Sequence, residues 1–126
     1  MTINWSESKL TEAKKEISTL ELTQEKTENV KFYGEVMSNY IPLSKELITG
    51  FILLSVNEWE NNHPDLNFAV EARGPNAMNA ANELNVIIKR RLKSMVKDKS
   101  QHTLVDDAIN SSIKKFAELG ASGVPK

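Results

Sequence analysis

The chain contains no cysteine among its 126 residues. This absence excludes disulfide bonds, thiolate zinc sites, cysteine nucleophiles and iron–sulfur clusters. It does not identify a cellular compartment, because proteins without cysteine occur on both sides of a membrane. The fold must therefore be held by its core, and a chain of this length is expected to bury about two thirds of the surface that it exposes when unfolded.

Long apolar runs are also missing. The most apolar stretch, residues 47–56, includes Thr49, Gly50 and Ser55 and is flanked by charges. It is about half as long as a helix needs to be to cross a bilayer. The first residues lack the basic segment and apolar stretch of a secretory signal peptide. We therefore expect a cytoplasmic protein without a membrane span, with export by a route that needs no such signal as an alternative.

Glycine and proline are few, five and four residues, and they stand where helices should end. Between them, apolar residues recur at steps of three and four, the period of one face of a helix. This pattern predicts an all-α fold, a single-domain antiparallel bundle of four to five helices. The predicted helices are residues 7–20, 24–41, 42–60, 76–97 and 103–119. Gly120 should stop the last helix, so we expect a helical domain over residues 1–120 and a flexible C-terminal tail over residues 121–126.

Residues 66–73 are ambiguous. Leu66, Phe68 and Val70 alternate with more polar residues, which is typical of a strand. A single short strand would have no evident partner elsewhere in the chain. A short helix capped by Asp65 is the preferred prediction, and a strand remains the alternative.

The segment 42–60 is apolar on nearly every side. Such a helix is usually buried among other helices, either of its own chain or of a second copy. Phe51 and Trp59, together with Leu54, are therefore candidates for a core shared with a partner. The glycine at position 34 would let one helix approach another closely.

Charge is distributed unevenly along the chain. Residues 1–63 hold six lysines against ten acids, and residues 64–126 hold ten lysines and arginines against seven acids. The cations concentrate in one predicted helix, where helical spacing would place Lys89, Lys93 and Lys97 in one stripe with Arg90 beside it. This face could contact an acidic partner or the phosphates of a nucleic acid. No aromatic residues interleave with these charges, so base stacking is not indicated.

Motifs for catalysis or metal binding are not evident. His63 and His102 form no ligand-spaced pair, although Glu58, His63 and Asp65 could make a three-ligand cluster. The glycines form no phosphate loop, and no serine lies in a nucleophile elbow. We therefore expect no catalytic, cofactor-binding or metal-binding residues.

The function that these patterns favour is a small non-enzymatic protein–protein interaction module: a regulator, an inhibitor or an assembly accessory. We expect a protein partner and a homo-oligomer, most simply a homodimer, with Lys89, Arg90, Lys93, Lys97, Phe51 and Trp59 as partner-binding residues. One alternative is a nucleic-acid-binding protein that uses the basic face of residues 84–99. Another is an enzyme or metal protein of unknown class.

Overall fold

A computed structural model describes residues 3–21 and 23–121 of the chain. Over these residues the protein is all-α, as predicted, and contains no β-strand. An isolated bridge joins Trp5 to Val96. The elements are α1 (Glu7–Ser18), α2 (Gln24–Met37), α3 (Lys45–Asn62), α4 (Phe68–Glu71), α5 (Ala77–Lys93) and α6 (His102–Ala121), with a 3₁₀ turn (Lys99–Gln101) before α6.

The four long helices α2, α3, α5 and α6 form a closed bundle. Helix α2 packs on α3 and α6, and α5 packs on the same two helices. Along two neighbouring helices, the residue numbers of contacting pairs rise on one helix and fall on the other, so the bundle is antiparallel. The pairs that set these directions are Glu35 with Lys45, Gly34 with Thr49, Glu58 with Arg90, His63 with Glu83, Lys89 with Asn110, and Lys93 with Asp106.

Helix α3 lies at the centre of the core. It contacts α1, α2, α4 and α5, so its apolar surface is covered by its own chain on several sides. Eight of its residues are buried, Ile52 completely. The prediction of a buried central helix is confirmed, and the burial does not need a second copy.

Helix α3 begins later than the sequence pattern predicted. Residues 41–43 form a bend, and Ser44 caps the helix by accepting a hydrogen bond from the backbone N–H of Leu47 at 3.2 Å. A hydroxyl at this position satisfies one of the free N–H groups at a helix start. Proline is compatible with the first position of a helix, which is why the sequence pattern predicted a start at Pro42. The helix instead begins after the Ser44 cap.

Helix α5 ends at Lys93, whereas the sequence pattern predicted an end near Lys97. Beyond Ser94 the backbone pairs with the N-terminal segment. The N–H of Lys97 donates to the carbonyl of Asn4 at 2.9 Å, and the carbonyl of Met95 accepts from Ser6 at 2.7 Å. These bonds replace helical ones at Met95 and Lys97, so residues 95–97 hold residues 4–6 in place.

The ambiguous segment is helical. Helix α4 spans Phe68–Glu71, and its cap is Asn67 rather than the predicted Asp65. The Asn67 side chain accepts from the N–H of Val70 at 3.3 Å, and Glu60 accepts from the N–H of Phe68 at 3.0 Å. Two side chains thus satisfy the start of this short helix.

The last helix continues through Gly120 to Ala121, past the predicted stop. Apart from Ala121, the predicted tail of residues 121–126 lies outside the described part of the chain.

Candidate partner-binding surface

Three of the predicted contact residues line one shallow groove at the C-terminal end of α5. The groove has a volume of about 500 Å³, and it is lined by Lys89, Arg90 and Lys93 together with His102 from the start of α6. Val86 and Ser94 complete the lining, and no carboxylate of a described residue is part of it. We call these six residues the basic groove.

Each cation of the basic groove is held by a side chain from a neighbouring helix. Lys89 Nζ donates to Asn110 Oδ1 at 2.8 Å, and Lys93 Nζ lies 2.7 Å from Asp106 Oδ1. Arg90 Nη2 donates to Glu58. These contacts restrict the side chains before any ligand arrives, so less conformational entropy is lost when one binds.

The net charge of the basic groove is smaller than its number of cations suggests. Glu58 and Asp106 are paired with Arg90 and Lys93 and offset their charges. Lys89 differs, because its partner is the neutral amide of Asn110. Lys89 is therefore the cation of the groove without a carboxylate partner in the described region.

Glu58 connects α3 to two arginines of α5. Its carboxylate accepts from Arg90 and, at 2.8 Å, from Arg91 Nη2. Partial burial acts to raise the pKa of Glu58, but the hydrogen bonds and charges of the two arginines outweigh it and hold the pKa below its usual value. Arg91 also reaches Glu16 of α1 at 3.6 Å. This cluster is an ionic connection among α1, α3 and α5 that the sequence analysis did not predict.

Lys97 does not belong to the basic groove. The predicted stripe required α5 to continue through residue 97, but the helix ends at Lys93. The backbone of Lys97 is bound to Asn4, and its exposed side chain does not line the groove. The predicted alignment of Lys97 with Lys89 and Lys93 is wrong for this reason.

Phe51 and Trp59 lie in the core of the single chain. Each is only 2% exposed, so neither offers surface to a partner in the folded monomer. The Trp59 ring packs against Phe68 of α4 and His63, with ring centroids 5.2 and 4.4 Å apart respectively. Their predicted place in a shared core is corrected to a place in the intrachain core.

The conceivable metal cluster does not assemble. Glu58 turns toward the arginines of α5, whereas His63 Nε2 lies 3.2 Å from Glu83. Within residues 3–21 and 23–121, no group of three or more histidine or acidic side chains is close enough to hold a metal ion.

A second concavity, unpredicted from the sequence, lies between α2, α3 and α4. It has a volume of about 390 Å³ and a mainly apolar surface formed by Val30, Leu53, Val56 and Phe68. Asn57, Glu60 and Arg73 add polar groups to its lining. The apolar residues of segment 66–73 were the only indication of this concavity in the sequence. They do not predict it alone, because the residues of α2 and α3 that complete it are distant in sequence.

Beside this concavity, segment 65–71 presents an amphipathic surface. Leu66 is 42% exposed and Val70 is 66% exposed, and both lie between Asp65 and Glu71 in the sequence. Neither acid forms an ion pair with another described residue. We call Asp65, Leu66, Val70 and Glu71 the acidic segment.

Comparison with known proteins gives no match for this chain among family models, curated proteins or solved structures. Among the helices of the described residues, none has the length and apolar character needed to span a membrane.

Proposed function

We propose that this protein is a non-enzymatic interaction module that binds an acidic protein surface through the basic groove. The observation that supports the proposal is the position of Val86, which is 66% exposed and shares a concave lining with Lys89, Arg90, Lys93 and His102. An apolar side chain among cations suits a protein partner that supplies both an apolar contact and carboxylates.

The alternative nucleic-acid ligand has one observation in its favour. Four basic side chains line a concave surface without a described carboxylate. Two of these side chains, Arg90 and Lys93, already contact acids, however, and no Phe, Tyr or Trp of the described residues is part of the lining. We therefore expect weak nucleic-acid binding of purely electrostatic origin, without base stacking.

The biological role that we propose is that of a regulator, an inhibitor or an assembly accessory. A regulator, an inhibitor or an assembly accessory would each need a contact surface and no chemistry of its own. A cytoplasmic location and a homo-oligomeric state remain predictions from the sequence, and the basic groove is the surface through which a partner would act.

A pair of synthetic amphipathic helices tests the groove. One peptide carries Leu and Glu, and its matched partner carries Leu and Lys in the same pattern. Titration calorimetry should detect binding of the Leu/Glu peptide only, because the groove is basic. Lys89→Glu should weaken this binding by about tenfold, which corresponds to one close charge pair.

The control variant is Lys14→Glu, which makes the same charge change on α1, outside the groove. It should leave the affinity for the Leu/Glu peptide unchanged. Equal affinity of both peptides, or no binding of either, would contradict the proposal.

A salt titration with duplex DNA, single-stranded DNA and RNA separates the two candidate ligands. If the three groove cations Lys89, Arg90 and Lys93 contacted phosphates, affinity should fall about 40-fold between about 50 and 200 mM salt. Submicromolar binding with this slope, lost in Lys89→Glu, would favour a nucleic acid over a protein partner.

A further inference from the structure

We propose that the acidic surface recognised by the basic groove is the acidic segment of a second copy of this chain. This inference rests on the proposed function, because it names the partner of the same groove. It assigns one occupant to the groove and gives a binding role to Asp65, Leu66, Val70 and Glu71.

The two surfaces are complementary in both charge and apolar character. In the acidic segment, exposed Leu66 and Val70 lie between Asp65 and Glu71 in the sequence, and residues 60–75 hold three acids against one arginine. The basic groove presents exposed Val86 beside Lys89. Contact between them would cover apolar side chains on both copies and bring unpaired charges of opposite sign together.

The two surfaces do not meet within one chain. Among the described residues, neither Asp65 nor Glu71 forms an ion pair with a cation of the basic groove. The acidic segment adjoins the concavity between α2, α3 and α4, whereas the basic groove lies on α5 and the start of α6, and the two share no described lining residue. The groove of one copy is therefore open to the segment of another.

Such a contact joins two different patches rather than one patch to itself. Two copies can close it around a two-fold axis, where each segment meets the groove of the other copy, or more copies can form a ring. In either arrangement every contact pairs an acidic surface with a basic one, so salt should weaken the assembly.

Charge exchange between the two surfaces provides a specific test. The first variant, Asp65→Lys with Glu71→Lys, makes the acidic segment basic. The second, Lys89→Glu with Ser94→Glu, makes the groove acidic, because Arg90 and Lys93 remain neutralised by Glu58 and Asp106.

Sedimentation velocity should show a salt-sensitive oligomer for the wild type and a loss of affinity of at least about tenfold for each variant alone. An equimolar mixture of the two variants should associate again, because the basic segment of one then faces the acidic groove of the other. Lys14→Glu should leave the oligomer unchanged. Circular dichroism melting of all variants verifies that they are folded.

Recovery of the oligomer in the mixture, and only there, supports the inference. A monomeric wild type at low salt, or a mixture no more associated than its components, overturns it. If the wild type is monomeric but binds the Leu/Glu peptide through the groove, the inference of self-association fails and the proposed function stands. If it also fails to bind the peptide, both fail.

Discussion

Gly34 of α2 lies directly against the hydroxyl of Thr49 on α3. A β-carbon at position 34 would stand 2.5 Å from Thr49 Oγ1, closer than the two atoms can pack. Glycine normally costs a helix about 1 kcal/mol relative to alanine. Here its missing side chain allows the two helices to approach, as the sequence analysis suggested it would.

Gly34→Ala should destabilise the protein despite the better helix propensity of alanine. We expect a loss of up to about 2 kcal/mol in the free energy of unfolding, because overpacking costs about 1–3 kcal/mol and the propensity gain offsets about 1 kcal/mol of it. Chemical denaturation of the two proteins measures the difference.

The matched control uses Thr49→Ala as background. Removing the hydroxyl leaves the β-carbon of residue 49 at 3.5 Å from the new methyl group, which is an ordinary contact. In this background Gly34→Ala should be neutral or stabilising. A loss of stability as large as in the wild type would show that the Thr49 hydroxyl is not the cause.

The buried hydroxyl of Tyr33 leads to a prediction at alkaline pH. It donates to Asn85 Oδ1 on α5. Burial raises the pKa of Tyr33 to about 12 from its usual value of 10.0. Because the folded pKa is the higher one, the stabilisation is complete below pH 10 and is lost as the pH rises toward 12.

Unfolding free energies measured between pH 8 and pH 12 should therefore fall less steeply for Tyr33→Phe than for the wild type. At neutral pH the free energy of unfolding of Tyr33→Phe should be about 1–3 kcal/mol lower than that of the wild type, because the buried Asn85 oxygen loses its hydrogen-bond donor. Tyr40→Phe, at the other tyrosine, should keep the alkaline loss that belongs to Tyr33. Identical slopes for all three proteins would contradict this assignment.

The sequence predicted the helices well because helical periodicity and caps are local. Ser6 caps α1, with its side chain accepting from the backbone N–H of Lys9, and Gly34 lies at a close helix contact. The end of α5 was not predictable in this way, because it depends on pairing with Asn4 and Ser6 more than eighty residues away. The basic groove shows the same limit, because its ion pairs join different helices. The sequence predicted that Lys89, Arg90 and Lys93 lie on one face, but it did not predict that Glu58 and Asp106 would pair with Arg90 and Lys93.

The cap of α4 supplies a prediction in which two neighbouring residues act as variant and control. Asn67 accepts from the N–H of Val70, whereas Asp65, the cap expected from the sequence, lies outside the helix. Asn67→Ala should lower the free energy of unfolding by about 1 kcal/mol, the typical cost of a lost cap. Asp65→Ala should change it by less than about 0.5 kcal/mol. The reverse order in thermal or chemical unfolding would assign the cap to Asp65.

The carboxylate of Glu58 should make the protein sensitive to acid. Arg90 and Arg91 hold the folded pKa of Glu58 below its usual value of 4.5, although burial opposes them. The stabilisation is therefore present above pH 4.5 and is lost as the pH falls through the folded pKa.

Glu58→Gln should lower the free energy of unfolding by about 1 kcal/mol at neutral pH, near the upper end for partly exposed ion pairs. Its stability curve should approach that of the wild type in acid, since protonation removes the same charge. Glu12→Gln, at an exposed pair with Lys9 4.0 Å away, should follow the wild type at every pH. If Glu58→Gln stayed below the wild type by a constant amount down to pH 2, the loss would come from packing rather than from the charge.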